Sequence, residues 1–368
     1  MALPRPVPTD EAHRTTNFEI FFDLVFVFAL TQVVSFMAES LSALSMAQGL
    51  VLLMLLWWSW TAYAWLGNHA RADHGVIFAG LVVAMFALFA AALIMPAAFS
   101  GRSVAVALAY SVVRLVYLGL FLYTAAGDRP LRNQLLINAI PQMIALIPLF
   151  AGAALGGGRQ TALWALAFAI DFGGGRFSSN FGGWRVPSAG HFSERHGLML
   201  MIALGESLVS IGSGAGPSLS GGLVLVGLGT TVCLWLLYFS WAAPRVAAAL
   251  AAAGARRARL ARDAYTFLHL PMVVGILYLA LGTEEVLLSP HEPLTWAAAT
   301  ALGGGVALYL AGRAAFVRAA GPAPVAVGAT GAVVAVGLLP VARLGPAFVS
   351  LILVFALVLT LTVVERRS

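Results

Sequence analysis

The sequence predicts an all-α protein: a polytopic transmembrane helical bundle of about twelve spans, built as two six-helix repeats in the same orientation. Three observations predict it. The 368 residues are 61% hydrophobic and only 10% charged, with a mean hydropathy of +0.92, far from the mixture of a soluble domain. Apolar runs of about 20 residues, the length that crosses hydrocarbon, recur along the chain. Arginine is concentrated in alternate connections, as it is when one side of a membrane protein faces the cytoplasm.

The spans fall near 17–38, 44–66, 75–97, 103–124, 132–154, 160–179, 195–213, 221–243, 264–286, 294–316, 323–342 and 345–364. They give a cytoplasmic N-terminal segment (1–16), a first six-helix half (17–179), a cytoplasmic connector (180–194), a second half (195–364) and a short tail (365–368). On this division 17 arginines lie on the side of the N-terminus, the even-numbered loops and the C-terminus, and three lie on the other. Both termini are therefore expected in the cytoplasm.

The first span, entered through Arg14-Thr-Thr-Asn-Phe-Glu-Ile-Phe-Phe-Asp, carries Glu19 and Asp23 one helical turn apart and so on one face, with Gln32 further along. Carboxylates at membrane depth face a protein interior, water or a cation. Span two ends in the aromatic set Trp57, Trp58, Trp60, Tyr63 and Trp65, expected at the membrane interface, with Trp58, Trp60 and Trp65 the alternative lining of a cavity. Span four holds Arg114 near its middle, which needs a carboxylate such as Asp23 or the Asp171 of span six. Span five aligns Gln134, Asn138 and Gln142 in a polar stripe, and Pro141 and Pro148 add breaks to the helix, a pattern that suits a pathway wall or amide-mediated packing.

The connector is read over 173–193, where glycine, serine and one proline mark a loop. Span seven carries Glu194, Arg195 and His196 at its mouth and Glu206 deeper; span nine carries His269 before Pro271, then Glu284 and Glu285. Residues 245–263, alanine- and arginine-rich, suit a helical extension more than an amphipathic surface helix. The repeat rests on matches in the same order: Glu19 with Glu194, Ser59-Trp60 with Ser240-Trp241, and Val82-Val83 with Val273-Val274.

Other chemistries find no support. The net charge of +6 is dispersed through short loops, which excludes a nucleic-acid arm. Cys233 is the only cysteine, so no disulfide forms within the chain and no thiolate metal set exists. No catalytic motif or Walker loop appears, and no metal or cofactor is expected. The chain is read as a non-enzyme whose partners are membrane lipid, a small cation or proton and, as an option, a second copy in a homodimer.

The run from Glu19 to Gln32, EIFFDLVFVFALTQ, together with HFSERHGLMLMIALGES at 191–207 and the stretch Tyr265 to Gly275, resembles the bacterial low-temperature-requirement A family of membrane proteins. The resemblance implies a polytopic protein of the bacterial inner membrane and supplies no substrate. A shorter match, Phe21 to Phe26 with Thr31, is similar to the first-helix motif of the lysosomal potassium-channel family, whose two six-helix repeats line a pore. Phe22 stands where that motif has serine, and span seven lacks the aspartate.

These readings combine into a channel or secondary transporter for a small cation or proton. Its transport or pore-lining candidates are Glu19, Asp23, Gln32, Arg114, Asn138, Asp171, Glu194, Arg195, His196, Glu206 and His269. Within that set Arg195 is expected to face Glu19, and Arg114 to face Asp23. The alternatives are a non-transporting protein that senses or organises lipid around a structural polar core and, third, a membrane-embedded enzyme.

Overall fold

Local chemistry sets the helix ends. The computed structural model describes residues 6–214, 221–323 and 325–367. The first helix, α1 (Asn17–Glu39), starts with a reciprocal capping box: the Glu19 amide donates to Thr16 Oγ1 at 3.2 Å, and the Thr16 amide donates to Glu19 Oε2 at 2.9 Å. Ser42 and Ser45 make the same exchange at the start of α2 (Ala43–Gly67). After α3 (Gly75–Ala97) and α4 (Ser103–Thr124) comes α5 (Arg129–Leu155). There Asp128 accepts from the Leu131 amide at 3.1 Å, and Pro130 occupies the first turn, where no amide hydrogen is needed. Gly156, at φ +65°, ends α5 in a conformation that suits only glycine well and leads directly into α6 (Gly157–Ser178).

The second set comprises α7 (Ala189–Gly214), α8 (Gly221–Ala252), α9 (Gly254–Leu288), α10 (Trp296–Ala320), α11 (Ala326–Leu344) and α12 (Ala347–Arg366). Three of these contain a π-helical turn, at Tyr238–Ala242, Ala261–Phe267 and Thr300–Gly304. Such turns re-aim side chains and are frequent at functional sites.

Among the described residues, eleven helices are long and apolar enough to cross a membrane. The sixth expected span is a 22-residue helix but falls outside that group. Its ends are glycine- and arginine-bearing and its interior holds Asp171, which lowers its hydropathy without preventing the helix. The glycines expected in a connector are helical too. Gly174 sits against Pro141 and Gly175 against Trp58, so they provide close packing and the loop shortens to the stretch between Phe181 and Ala189. Residues 245–263 extend α8 and α9, with the break at Gly254, φ +51°.

Outward faces confirm the solvent. On α3, Ile77, Leu81, Ala84 and Leu88 are buried while Phe78, Phe86, Phe89 and Leu93 are exposed, Phe86 at 72%. Water would not tolerate a continuous apolar face of this kind, whereas hydrocarbon requires it. The protein is a multi-pass membrane protein.

The chain divides into two compact units, Met1–Phe36 with Ala47–Phe192, and Met37–Met46 with Ser193–Ser368. Within the first, Arg114 on α4 bonds Asp171 on α6 at 2.7 Å and donates to the Trp58 carbonyl on α2 at 3.2 Å. Within the second, Arg313 on α10 pairs with Glu365 on α12 and donates to the Leu237 carbonyl on α8 at 2.7 Å. Each unit thus ties its fourth helix to its sixth and second through one buried arginine. A tyrosine, Tyr110 or Tyr309, stands one turn before each arginine. Arg195 and Arg313, counted above among the loop arginines, are both 2% exposed inside helices, and Glu365 belongs to α12 and not to a tail. The loop asymmetry stands without them.

The second unit also depends on bare backbone. A Cβ built on Gly305 would lie 2.6 Å from the Leu279 nitrogen and 2.7 Å from the Gly275 carbonyl oxygen, both main-chain atoms that cannot step aside. Gly305→Val is therefore expected to separate α9 from α10 and cost about 3 kcal/mol, at the upper end of ordinary overpacking. Thermal unfolding in detergent measures the loss; unchanged melting would refute the close contact.

Candidate functional site

Two helix N-termini meet in the first unit through their third residues. Ser188 caps α7, its hydroxyl accepting from the His191 amide at 3.1 Å, as Thr16 caps α1. His191 and Glu19 occupy matching positions in their first turns, and His191 Nε2 lies 2.8 Å from Glu19 Oε1. Both are buried, His191 at 0% and Glu19 at 2% exposure.

The amide of Asn68 fixes the tautomer. Its nitrogen donates to the Ser188 carbonyl at 2.7 Å and to His191 Nδ1 at 3.1 Å. His191 therefore carries its hydrogen on Nε2 and donates it to Glu19. The N-terminal segment closes over this network: the Arg71 amide donates to the Val7 carbonyl at 2.9 Å, and the Ser188 hydroxyl donates to the His13 carbonyl at 2.9 Å. The His13 ring lies 4.6 Å from that of His191, centroid to centroid. Burial, then the neighbouring His191, lowers the proton affinity of His13 below the ordinary histidine value. The nearest ring nitrogens of the two histidines and a Glu19 oxygen all lie within 4.8 Å of one another.

One turn further along α1, Asp23 is 1% exposed and accepts from the indole nitrogen of Trp60 at 2.9 Å. This corrects the expected Asp23–Arg114 pair. A buried indole N–H needs an acceptor, and Asp23 supplies it, while Arg114 takes Asp171, the other acid open to it. The aromatic set of span two is also interior and not interfacial: Trp57, Trp60, Tyr63 and Trp65 are all below 9% exposed. Tyr63 donates to the Val113 carbonyl at 2.6 Å, and its ring packs against Phe22.

The stripe on α5 acts as adhesive between helices. Gln134 donates to the Ser178 carbonyl at 2.9 Å, Gln142 to the Arg114 carbonyl at 3.1 Å, and Asn138 accepts from the Ser178 hydroxyl at 3.0 Å. Of the two roles open to it, packing is the one its bonds serve. Gln32 is half-buried on α1.

In the second unit Arg195, His196, Glu206 and His269 are buried, whereas Glu194 is exposed, which removes Glu194 from an interior lining. His269 is satisfied at both nitrogens, by the Tyr238 hydroxyl at 2.8 Å and the Ala264 carbonyl at 3.3 Å. The second contact spans five residues and exists because the π turn at Ala261–Phe267 displaces that carbonyl. The ring of Tyr265 stacks on that of His269 at 5.1 Å, and the His196 ring meets both.

Sequence reasoning singled out Glu19 and Asp23 but not His13, Asn68, Ser188 or His191. Two signals were present. Thr16-x-x-Glu19 is a capping box, which assigns Glu19 to a helix start, and Ser188-x-x-His191 has the same spacing.

The model of the family described as bacterial low temperature requirement A protein matches residues 14–364. An uncharacterized protein of Rhizobium meliloti (strain 1021) is 28% identical over 312 residues, covering 80% of this chain and 75% of its own. No solved structure matches. The family match begins two residues before the capping box and reaches into the twelfth helix, so the chain belongs to the bacterial low-temperature-requirement A family.

Proposed function

We propose that the protein moves a small cation or proton across the bacterial inner membrane, with both termini in the cytoplasm and the acid face of α1 at the centre of the path. The observation that carries this reading is the burial of two carboxylates one turn apart on a membrane helix, Glu19 at 2% and Asp23 at 1% exposure. Ionisable groups at membrane depth are costly and are kept where they bind or relay charge. Asp171 is a further buried acid of the first unit, and Arg195 and Glu206 are buried in the second.

The six-helix duplication is part of the proposal. It is supported by the recurrence, in each unit separately, of an arginine on the fourth helix bound to an acid on the sixth and a carbonyl on the second.

A structural polar core is the competing reading, and one observation favours it: both α1 acids receive hydrogen bonds from neighbouring side chains, Glu19 from His191 and Asp23 from Trp60. Proteoliposomes decide between them. Under imposed potassium, sodium or proton gradients, liposomes containing the protein are expected to carry flux well above empty ones. Flux equal to that of empty liposomes under every gradient would leave the structural core.

A further inference from the structure

We propose that His13, Glu19 and His191 form a binding site for a single transition-metal ion of the zinc class. No metal set was legible in the sequence, because His13 and His191 are separated by most of the first half of the chain. Folding brings their ligand atoms within 4.8 Å of one another. Four-coordinate zinc, with bonds of about 2.0–2.1 Å to nitrogen and oxygen, places neighbouring donors about 3.3–3.4 Å apart. The His191 to Glu19 separation of 2.8 Å must open slightly and the others close.

Two features beyond proximity point to a ligand. His13 Nε2 is shielded from solvent and makes no hydrogen bond, and a buried nitrogen left in that state calls for an explanation that a metal bond supplies. Glu19 is held ready: its Oε2 is fixed by the Thr16 amide and hydroxyl at 2.9 and 3.0 Å, which leaves Oε1 directed at the histidines. Behind His191 the Asn68 amide donates to Nδ1 in the metal-free state, the opposite polarity to the acceptor that a metal-bound imidazole needs there.

The donor set selects the ion. Two imidazoles and one carboxylate favour zinc-like cations over calcium or magnesium, which prefer oxygen. On loading, the His191 hydrogen passes from Nε2 to Nδ1. The Asn68 amide must then turn to accept it, giving up its bond to the Ser188 carbonyl. Three protein ligands leave a fourth position open.

The test uses full-length protein in detergent, freed of any polyhistidine tag and stripped with chelator, then titrated with zinc(II) or cobalt(II). One equivalent per chain is expected to survive desalting. His13→Ala is expected to weaken binding at least tenfold while the metal-free variant still melts as a folded protein, since it loses only ring packing against His191 and no hydrogen bond of Nε2. His13→Cys is expected to restore binding and to add thiolate-to-cobalt charge-transfer absorption in the near ultraviolet. Absence of a retained equivalent in the intact protein, equal retention in His13→Ala, or a cobalt complex of His13→Cys without the thiolate band would each overturn the site. Transport and metal binding are read by separate assays, so either proposal can fail alone.

Discussion

Asp171→Ala is expected to destabilise the protein by about 3–5 kcal/mol, the range found when one partner of a buried ion pair is removed. Arg114 and Asp171 have side chains only 3% and 4% exposed, and the 2.7 Å bond between them is the arginine's sole ion pair among the described residues. Without the carboxylate, Arg114 keeps the Trp58 carbonyl at 3.2 Å and a cation–π contact with Tyr117, neither of which neutralises it. Denaturation in mild detergent gives the magnitude. Asp171→Asn retains an acceptor and should lose less. The double replacement Arg114→Met with Asp171→Leu should recover most of the loss, because removing both charges also removes their desolvation cost. If the double variant stayed as unstable as Asp171→Ala, the pair would matter for something other than charge compensation. The same series on Arg313 and Glu365 tests the second unit, where the corresponding pair is 2% and 8% exposed.

Hydropathy made the helices legible because every backbone polar group in a bilayer must be satisfied within its own segment, so length and apolarity nearly determine each span. Where that logic thins, at α6, the sequence still marks a helix but no longer marks a crossing. Side-chain pairing is set by tertiary contact, and its legibility varies accordingly. Arg114 sits mid-span and announces its need for a carboxylate, although the choice between Asp23 and Asp171 required Trp60 to be placed. Arg313 and Glu365 sit near span ends, where arginine normally reaches water, so nothing local distinguishes them from topology signals. The Glu19 to His191 contact joins two helix starts 172 positions apart, and only the shared capping spacing hints at it.

Asp23→Asn is expected to reduce cation or proton flux at least tenfold without lowering thermal stability. The substitution is nearly isosteric and keeps Oδ1 as the acceptor for Trp60, so the contact at 2.9 Å survives while the charge is lost. A translocated cation that meets α1 at this level loses its charged ligand in a site of low dielectric, where tenfold corresponds to about 1.4 kcal/mol and a buried charge readily supplies more. The structural reading gives the opposite signature. If Asp23 serves only to receive the indole, neutralising it removes a desolvation cost, melting temperature rises, and any flux stays where it was. Glu19→Gln sharpens the comparison: glutamine keeps its amide oxygen on the Thr16 amide in the capping box, which turns its nitrogen to His191 and requires that ring to accept at Nε2. Loss of flux in Asp23→Asn with retained flux in Glu19→Gln would put the path on the Asp23 side of α1. Loss in both would extend it to the helix mouth where Glu19 and His191 meet.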